Sequence, residues 1–153
     1  MINGQHLREY IIRPTLEQIG LWSESAENLL MGTAAQESKQ GFYLRQLKGG
    51  PAVGIFQMEP ATHDDIWEHF LEYQPRLSEK IQTLTPFVEA EQMVGNLNYA
   101  AAMARMQYYR RPEPLPMAND VAALAHYWKQ HYNTRLGKGT EKEFEHSYLL
   151  SIH

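Results

Sequence analysis

Apolar residues recur at helical spacing along most of the chain. In "HLREYII" they mark a short helix that Arg13-Pro14 is expected to stop. Pro14 then suits the first turn of a second helix, "PTLEQIGLW". "SESAENLLMGTAAQES" predicts a third, with Ser23 or Ser25 as its cap and Glu24 or Glu27 in its first turn. Within it Leu30, Ala34 and Glu37 fall on one face, which turns Glu37 toward the core.

From Lys39 to Val53 the helical pattern breaks. "KGGPAVG" is turn chemistry, and the flanking "FYLRQL" and "AVGIF" predict a short β-hairpin or a loop wall. A helix resumes at Pro60 or Thr62 in "ATHDDIWEHFLEY", with Thr62 and Asp65 as a capping pair. "SEKIQTL" follows as a short helix. Thr85-Pro86 then opens the longest predicted one, "FVEAEQMVGNLNYAAAMARMQYYR". Its small residues, Gly95, Ala100, Ala101, Ala102 and Ala104, let neighbours approach closely and predict a central buried helix. After the connector "RPEPLPM", "NDVAALAHYWKQHYN" reads as a helix capped by Asn119 or Asp120. Its apolar stripe is Val121, Leu124, Ala125, Trp128 and Tyr132. "RLGKG" ends that unit, and Thr140 with Glu143 caps a last helix, "EKEFEHSYLLSI".

The pattern therefore predicts a mainly α fold. At 153 residues the expectation is one domain over 1–153, long enough to bury a core. The net charge of −4 argues against a nucleic-acid binder, which would carry a basic stripe. With no cysteine there is no disulfide framework, thiol nucleophile or thiolate metal site. His63 and His69, or His126 and His131, lack the spacing of a zinc-binding helix, so no metal or cofactor is expected. "MINGQHLREYIIRP" lacks a basic start followed by an apolar run, so no secretory signal is expected, and no stretch predicts membrane insertion.

One position changes the picture. A glutamate at a helix end is ordinarily solvated or paired, here with Lys39 or Arg45. Glu37 instead shares an apolar face and borders a glycine-rich loop able to form a cleft wall. Loss of water there raises a carboxyl pKa, and a carboxylic acid kept protonated near neutral pH serves general-acid cleavage of a glycosidic bond.

Glu37-Ser38 followed by "GIFQMEPAT" resembles the soluble lytic transglycosylase and goose-type lysozyme superfamily. That family sets a catalytic Glu-Ser pair at a helix end, then a Gly-Leu-x-Gln-x-x-Pro-x-Thr segment beyond a short loop. The matching residues are Glu37, Ser38, Gly54, Ile55, Gln57, Pro60 and Thr62, with Ile55 in place of the leucine. "VAALAHYWKQHYN" sits where the family carries Ala-Tyr-Asn-Ala-Gly. Tyr127 matches the tyrosine, and Trp128-Lys129-Gln130 replaces the Asn-Ala-Gly. The motif covers about Ala34 to Thr62, with looser similarity to about residue 135.

The resemblance implies a lysozyme-like helical domain that cleaves the β-1,4 bond between N-acetylmuramic acid and N-acetylglucosamine, with Glu37 as general acid and then base. It implies substrate contacts at Ser38, Gln57, Thr62 and Tyr127. Three of these have plain alternatives: Ser38 can satisfy a backbone group, Gln57 can be a structural amide supporting the loop, and Tyr127 can be a core tyrosine. A hydrolytic version would use Glu59, Asp64 or Asp65 as a second carboxylate, although Glu59 equally suits a helix start. Trp67, Tyr99, Trp128 and Tyr132 read as core. The partners implied are peptidoglycan strands, and, for a bacteriophage or prophage enzyme, a holin or other virion proteins. Such an enzyme waits in the host cytoplasm for holin release or travels with the virion. A glycan-binding or structural virion protein with an idle cleft is the rival from another class.

Overall fold

A computed structural model describes residues 1–133 and 137–152. The fold is mainly helical, with no named strand among the described residues. The helices are α1 (Gly4–His6), α2 (Arg13–Gln18), α3 (Glu24–Ser38), α4 (Pro60–His69), α5 (Pro75–Gln82), α6 (Gln92–Gly95), α7 (Leu97–Tyr109), α8 (Val121–Trp128) and α9 (Glu141–Ser151). The turn expected at "RLGKG" lies partly outside the described residues.

Helix α7 is the axis of the core. Every residue from Tyr99 to Tyr108 is buried, so its alanines meet neighbours all round rather than on one stripe. Helix α3 packs against α7, α8 and α9, and its own buried run includes Leu29, Leu30, Met31, Ala34 and Ala35. Ser23 caps α3 by accepting the Ala26 N–H at 3.0 Å. Glu27 in the first turn is nearly fully buried. Burial pushes its pKa up, but bonds from Arg13, Trp22 and Arg8 outweigh it and hold the carboxyl below its usual range. This cluster ties the N-terminal segment to the start of the helix that ends in Glu37.

Three local expectations are corrected. Pro14 does not stop the first helix: a π-helical turn over Leu7–Ile12 joins α1 to α2. There the Arg13 N–H reaches back to the Arg8 carbonyl, and the wider turn takes in the proline without a break. Nor is the segment from Phe87 to Arg110 one long helix. Asn96 interrupts it, accepting the Tyr99 N–H at 2.9 Å and donating to the Leu84 carbonyl at 2.8 Å. A side chain that satisfies both strands of the break outcompetes continued helix. Thirdly, α4 starts at Pro60 after Glu59, so Thr62 lies inside the first turn and forms no capping pair with Asp65. Asp120 and Thr140 do cap α8 and α9, each accepting the N–H of the residue three on.

The segment between α3 and α4 forms a loop wall. Isolated antiparallel bridges join Arg45 to Val53 and Val53 to Met58. The Gln46 N–H bonds the Ala52 carbonyl at 2.8 Å and the Gly54 N–H bonds Leu44 at 2.7 Å. Those pairs hold "GIFQ" beneath the end of α3.

Candidate functional site

Glu37 occupies the last turn of α3, where Lys39 takes a left-handed conformation and ends the helix. The side chain is half-buried. One carboxyl oxygen accepts the Trp128 Nε1–H at 3.0 Å. The Trp128 ring is fully buried and stacks on Phe144 with ring centres 5.3 Å apart, so this donor is held by packing from α9. Burial outweighs the opposing pull of the Trp128 bond and the positive charge of Lys129, and the net result is a Glu37 pKa raised to about 7. Glu37 is thus poised between its acid and base forms near neutral pH.

A groove opens at this carboxyl. One depression of about 330 Å³ is lined by Glu37, Tyr43, Gln46, Gln57, Glu59 and Tyr132, among others. A second, of about 160 Å³, shares Gln57, Glu59, Tyr132 and Asn133 and continues to Thr62 and Gln107. No lysine or arginine lines either one among the described residues. Amides, hydroxyls and two carboxyls suit a neutral, hydroxyl- and amide-rich ligand. A further depression, on Ile19, Leu21, Leu77 and Tyr109, holds none of the candidate residues.

The structure brings Glu37, Gln57, Glu59 and Thr62 to this groove. Gln57 sits at φ +50°, and its amide nitrogen donates to the Gly54 carbonyl at 3.0 Å. That bond fixes the side chain at the junction of the two depressions.

Four expected contacts lie elsewhere. Ser38 is fully buried and touches neither Glu37's carboxyl nor the groove. Its hydroxyl donates to the Ile55 carbonyl at 2.6 Å and accepts the Gly41 N–H at 2.9 Å. The Glu-Ser pair therefore joins the helix end to the "GIFQ" turn: the serine builds the junction, the glutamate uses it. Tyr127 is buried, and its hydroxyl donates to the Glu113 carbonyl at 2.9 Å, so it belongs to the core. Asp65 bonds Arg110 at 2.5 Å and pairs with His69, away from the groove. The Arg110 hydrogen bond holds its carboxyl low. Asp64 bonds His63 Nδ1 at 2.9 Å. Of the three proposed second carboxylates, only Glu59 lines the groove.

Tyr132, which the helical pattern placed in the core, does pack against the core and also lines the groove. Its ring stacks on Tyr108 with centres 5.3 Å apart, and its hydroxyl donates to the Phe56 carbonyl at 2.7 Å. Its neighbour Asn133 also lines both depressions. A signal was present: the tyrosine-asparagine pair sought after Tyr127 occurs at Tyr132-Asn133. A π-helical turn over Lys129–Asn133 carries the pair, a winding that a 3.6-residue period does not foresee.

Replacing Trp128 by Phe keeps the stack on Phe144 and deletes the N–H that favours the carboxylate. The Glu37 titration midpoint is then expected to rise above its wild-type value, read by carboxyl carbon NMR. An unchanged or lower midpoint contradicts the role given to this bond.

No family model matches the chain, and neither a curated protein nor a solved structure matches it.

Proposed function

We propose that the chain is a peptidoglycan lytic transglycosylase with a lysozyme-like fold, the loop wall over residues 42–58 forming one side of its cleft. The observation that carries this reading is one half-buried carboxyl, Glu37, at the end of α3, held by Trp128 and opening on a groove whose other polar groups are neutral apart from Glu59. The motif that surrounds it is the second support.

The chemistry runs as follows. Protonated Glu37 donates to the glycosidic oxygen, the bond from that oxygen to the muramoyl C1 breaks, and positive charge spreads over C1 and the ring oxygen. The resulting Glu37 carboxylate takes the proton from the muramoyl 6-hydroxyl. That oxygen closes on C1, and the 1,6-anhydro ring forms with Glu37 protonated once more. One group serves both steps best when its pKa lies near the working pH, and about 7 meets that condition. Gln57 and Asn133 are placed to bond N-acetyl groups, and Tyr132 offers a ring face to a sugar.

Glu59 favours a second reading. As the only proposed second carboxylate that lines the groove, it is the group that would position water in a hydrolytic muramidase. Mass spectrometry of products from purified peptidoglycan separates the two. The expected products end in 1,6-anhydromuramic acid, and Glu59→Gln retains activity within about tenfold. Reducing muramic acid ends, with loss of activity in Glu59→Gln, would instead establish hydrolysis. Failure of the wild-type chain to cleave, with retention on insoluble peptidoglycan, would leave a glycan-binding module. For the enzyme, delivery through a holin or with a virion follows by analogy with phage wall-degrading proteins.

A further inference from the structure

We propose that Lys129 is a positioning residue for this site: its ammonium holds Asn133, Gly137 and Gly139 together at the edge of the groove. The proposal rests on the transglycosylase reading for its effect on turnover, but not for its effect on Glu37 itself.

Three hydrogen bonds carry it. Lys129 Nζ donates to Asn133 Oδ1 at 2.6 Å, to the Gly139 carbonyl at 2.7 Å and to the Gly137 carbonyl at 2.9 Å. An ammonium has three protons, so these acceptors use all of them. The side chain is half-buried, which strengthens each charge-assisted bond relative to a solvated lysine. Asn133 and Gly137 both line the groove with Glu37. One cation thus gathers the Asn133 side-chain amide and the Gly137 and Gly139 carbonyls, and two of these three residues line the groove.

Lys129 also follows Trp128, the donor to Glu37, and acts on Glu37 through its charge. The groups facing Glu37 are the Trp128 N–H and Lys129 from α8 and its continuation, Tyr132 from the same turn, Tyr108 from α7, and Tyr43 and Glu59 from the loop wall. Among these Lys129 is the cation. The tyrosines are neutral at working pH, their hydroxyl pKa values being pushed up further by burial and then by Glu37. Apart from Lys129, the described groups that face the carboxylate left after proton donation are neutral ones and Glu59. The lysine therefore favours the ionised state that must accept the 6-hydroxyl proton.

The test uses the full chain with Lys129→Met, which keeps the stem and removes the charge. Lys129→Arg keeps the charge but replaces a three-proton point donor with a planar fork. Carboxyl carbon NMR, with Glu37→Gln to assign the signal, is expected to show a higher Glu37 midpoint in Lys129→Met and a near wild-type midpoint in Lys129→Arg. For peptidoglycan turnover KM is expected to rise about tenfold in both variants, the scale of one charge-assisted hydrogen bond. The alkaline limb of the rate is expected to move up in Lys129→Met alone. Should Lys129→Met not fold, Asn133→Ala removes one acceptor and is expected to raise KM with the Glu37 midpoint unmoved. A Glu37 midpoint that is the same in wild type and Lys129→Met overturns the proposal. If Lys129→Met is unfolded, a Glu37 midpoint in Lys129→Arg far from the wild-type value, or an unchanged KM in Asn133→Ala, overturns it. Absence of cleavage by the wild type would count against the transglycosylase reading, and the NMR midpoint would still decide the case of Lys129.

Discussion

Glu37→Gln is expected to abolish glycan cleavage while making the protein more stable above neutral pH. Loss of a positioned general acid costs about 10²–10⁴-fold in rate, and a group that also serves as the base belongs at the upper end. The stability change follows from proton linkage. Burial raises the Glu37 pKa from 4.5 to about 7, so the folded chain holds this proton more tightly than the unfolded chain. The stability it contributes is complete below pH 4.5 and is lost as pH rises toward 7. Above 7 the wild type carries the whole penalty of ionising a buried acid. At about 1.4 kcal/mol per pH unit, the penalty is on the order of 2–4 kcal/mol. Glutamine ionises at no pH, and its oxygen still accepts the Trp128 N–H. Urea unfolding should therefore show the two proteins close together at pH 4 and the variant more stable at pH 8. Equal stabilities at pH 8 would mean that Glu37 is solvated, and the catalytic assignment would fall with it. Retained cleavage in a stable variant would move the chemistry to another residue.

Gly54→Ala is expected to have the largest effect on the fold of the site. Gly54 sits at φ +82°, and a Cβ there would lie 2.4 Å from the Met93 carbonyl oxygen. The left-handed backbone costs an alanine about 1–2 kcal/mol, and the collision adds about 1–3 kcal/mol. Gly49 separates the two causes: its φ is +80°, but nothing lies within 4 Å of its Cβ position. Gly49→Ala should cost only the backbone part. The damage from Gly54→Ala should also reach chemistry. The Gly54 carbonyl accepts the Gln57 amide, and the next carbonyl, Ile55, accepts Ser38. A turn pushed away from Met93 displaces Gln57 and loosens the junction that carries Glu37. The measurement is paired urea unfolding of the two variants, with product yield from peptidoglycan. If both alanines cost the same, close approach to Met93 is not what requires glycine.

These two variants bracket what the amino-acid order dictates. Helical periodicity, Ser23, Asp120 and Thr140 are local signals, and the helices they announce are present because caps and amphipathic stripes act within a few residues. The half-buried placement of Glu37 was legible for the same reason: its face follows from its neighbours at helical spacing. The "GIFQ" turn was not: the pattern made "AVGIF" a hairpin strand, whereas residues 54–57 turn, with Gln57 in a left-handed conformation that its side chain does not favour.

Where two distant segments compete, the sequence is silent. Whether Pro14 breaks a helix depends on whether a π turn can absorb it, and whether Asn96 interrupts one depends on Leu84 offering a carbonyl. Ser38 looks like a cleft residue until Ile55 and Gly41 claim its hydroxyl. Tyr132 lies on the apolar stripe of the helical wheel and Tyr127 off it, yet it is Tyr132 that lines the groove. Trp128 becomes the partner of Glu37, 91 positions away, only because Phe144 holds its ring there. Local chemistry thus fixed the elements and nominated the acid. Packing chose its neighbours, because a hydrogen bond between remote side chains exists only once the core has set their separation.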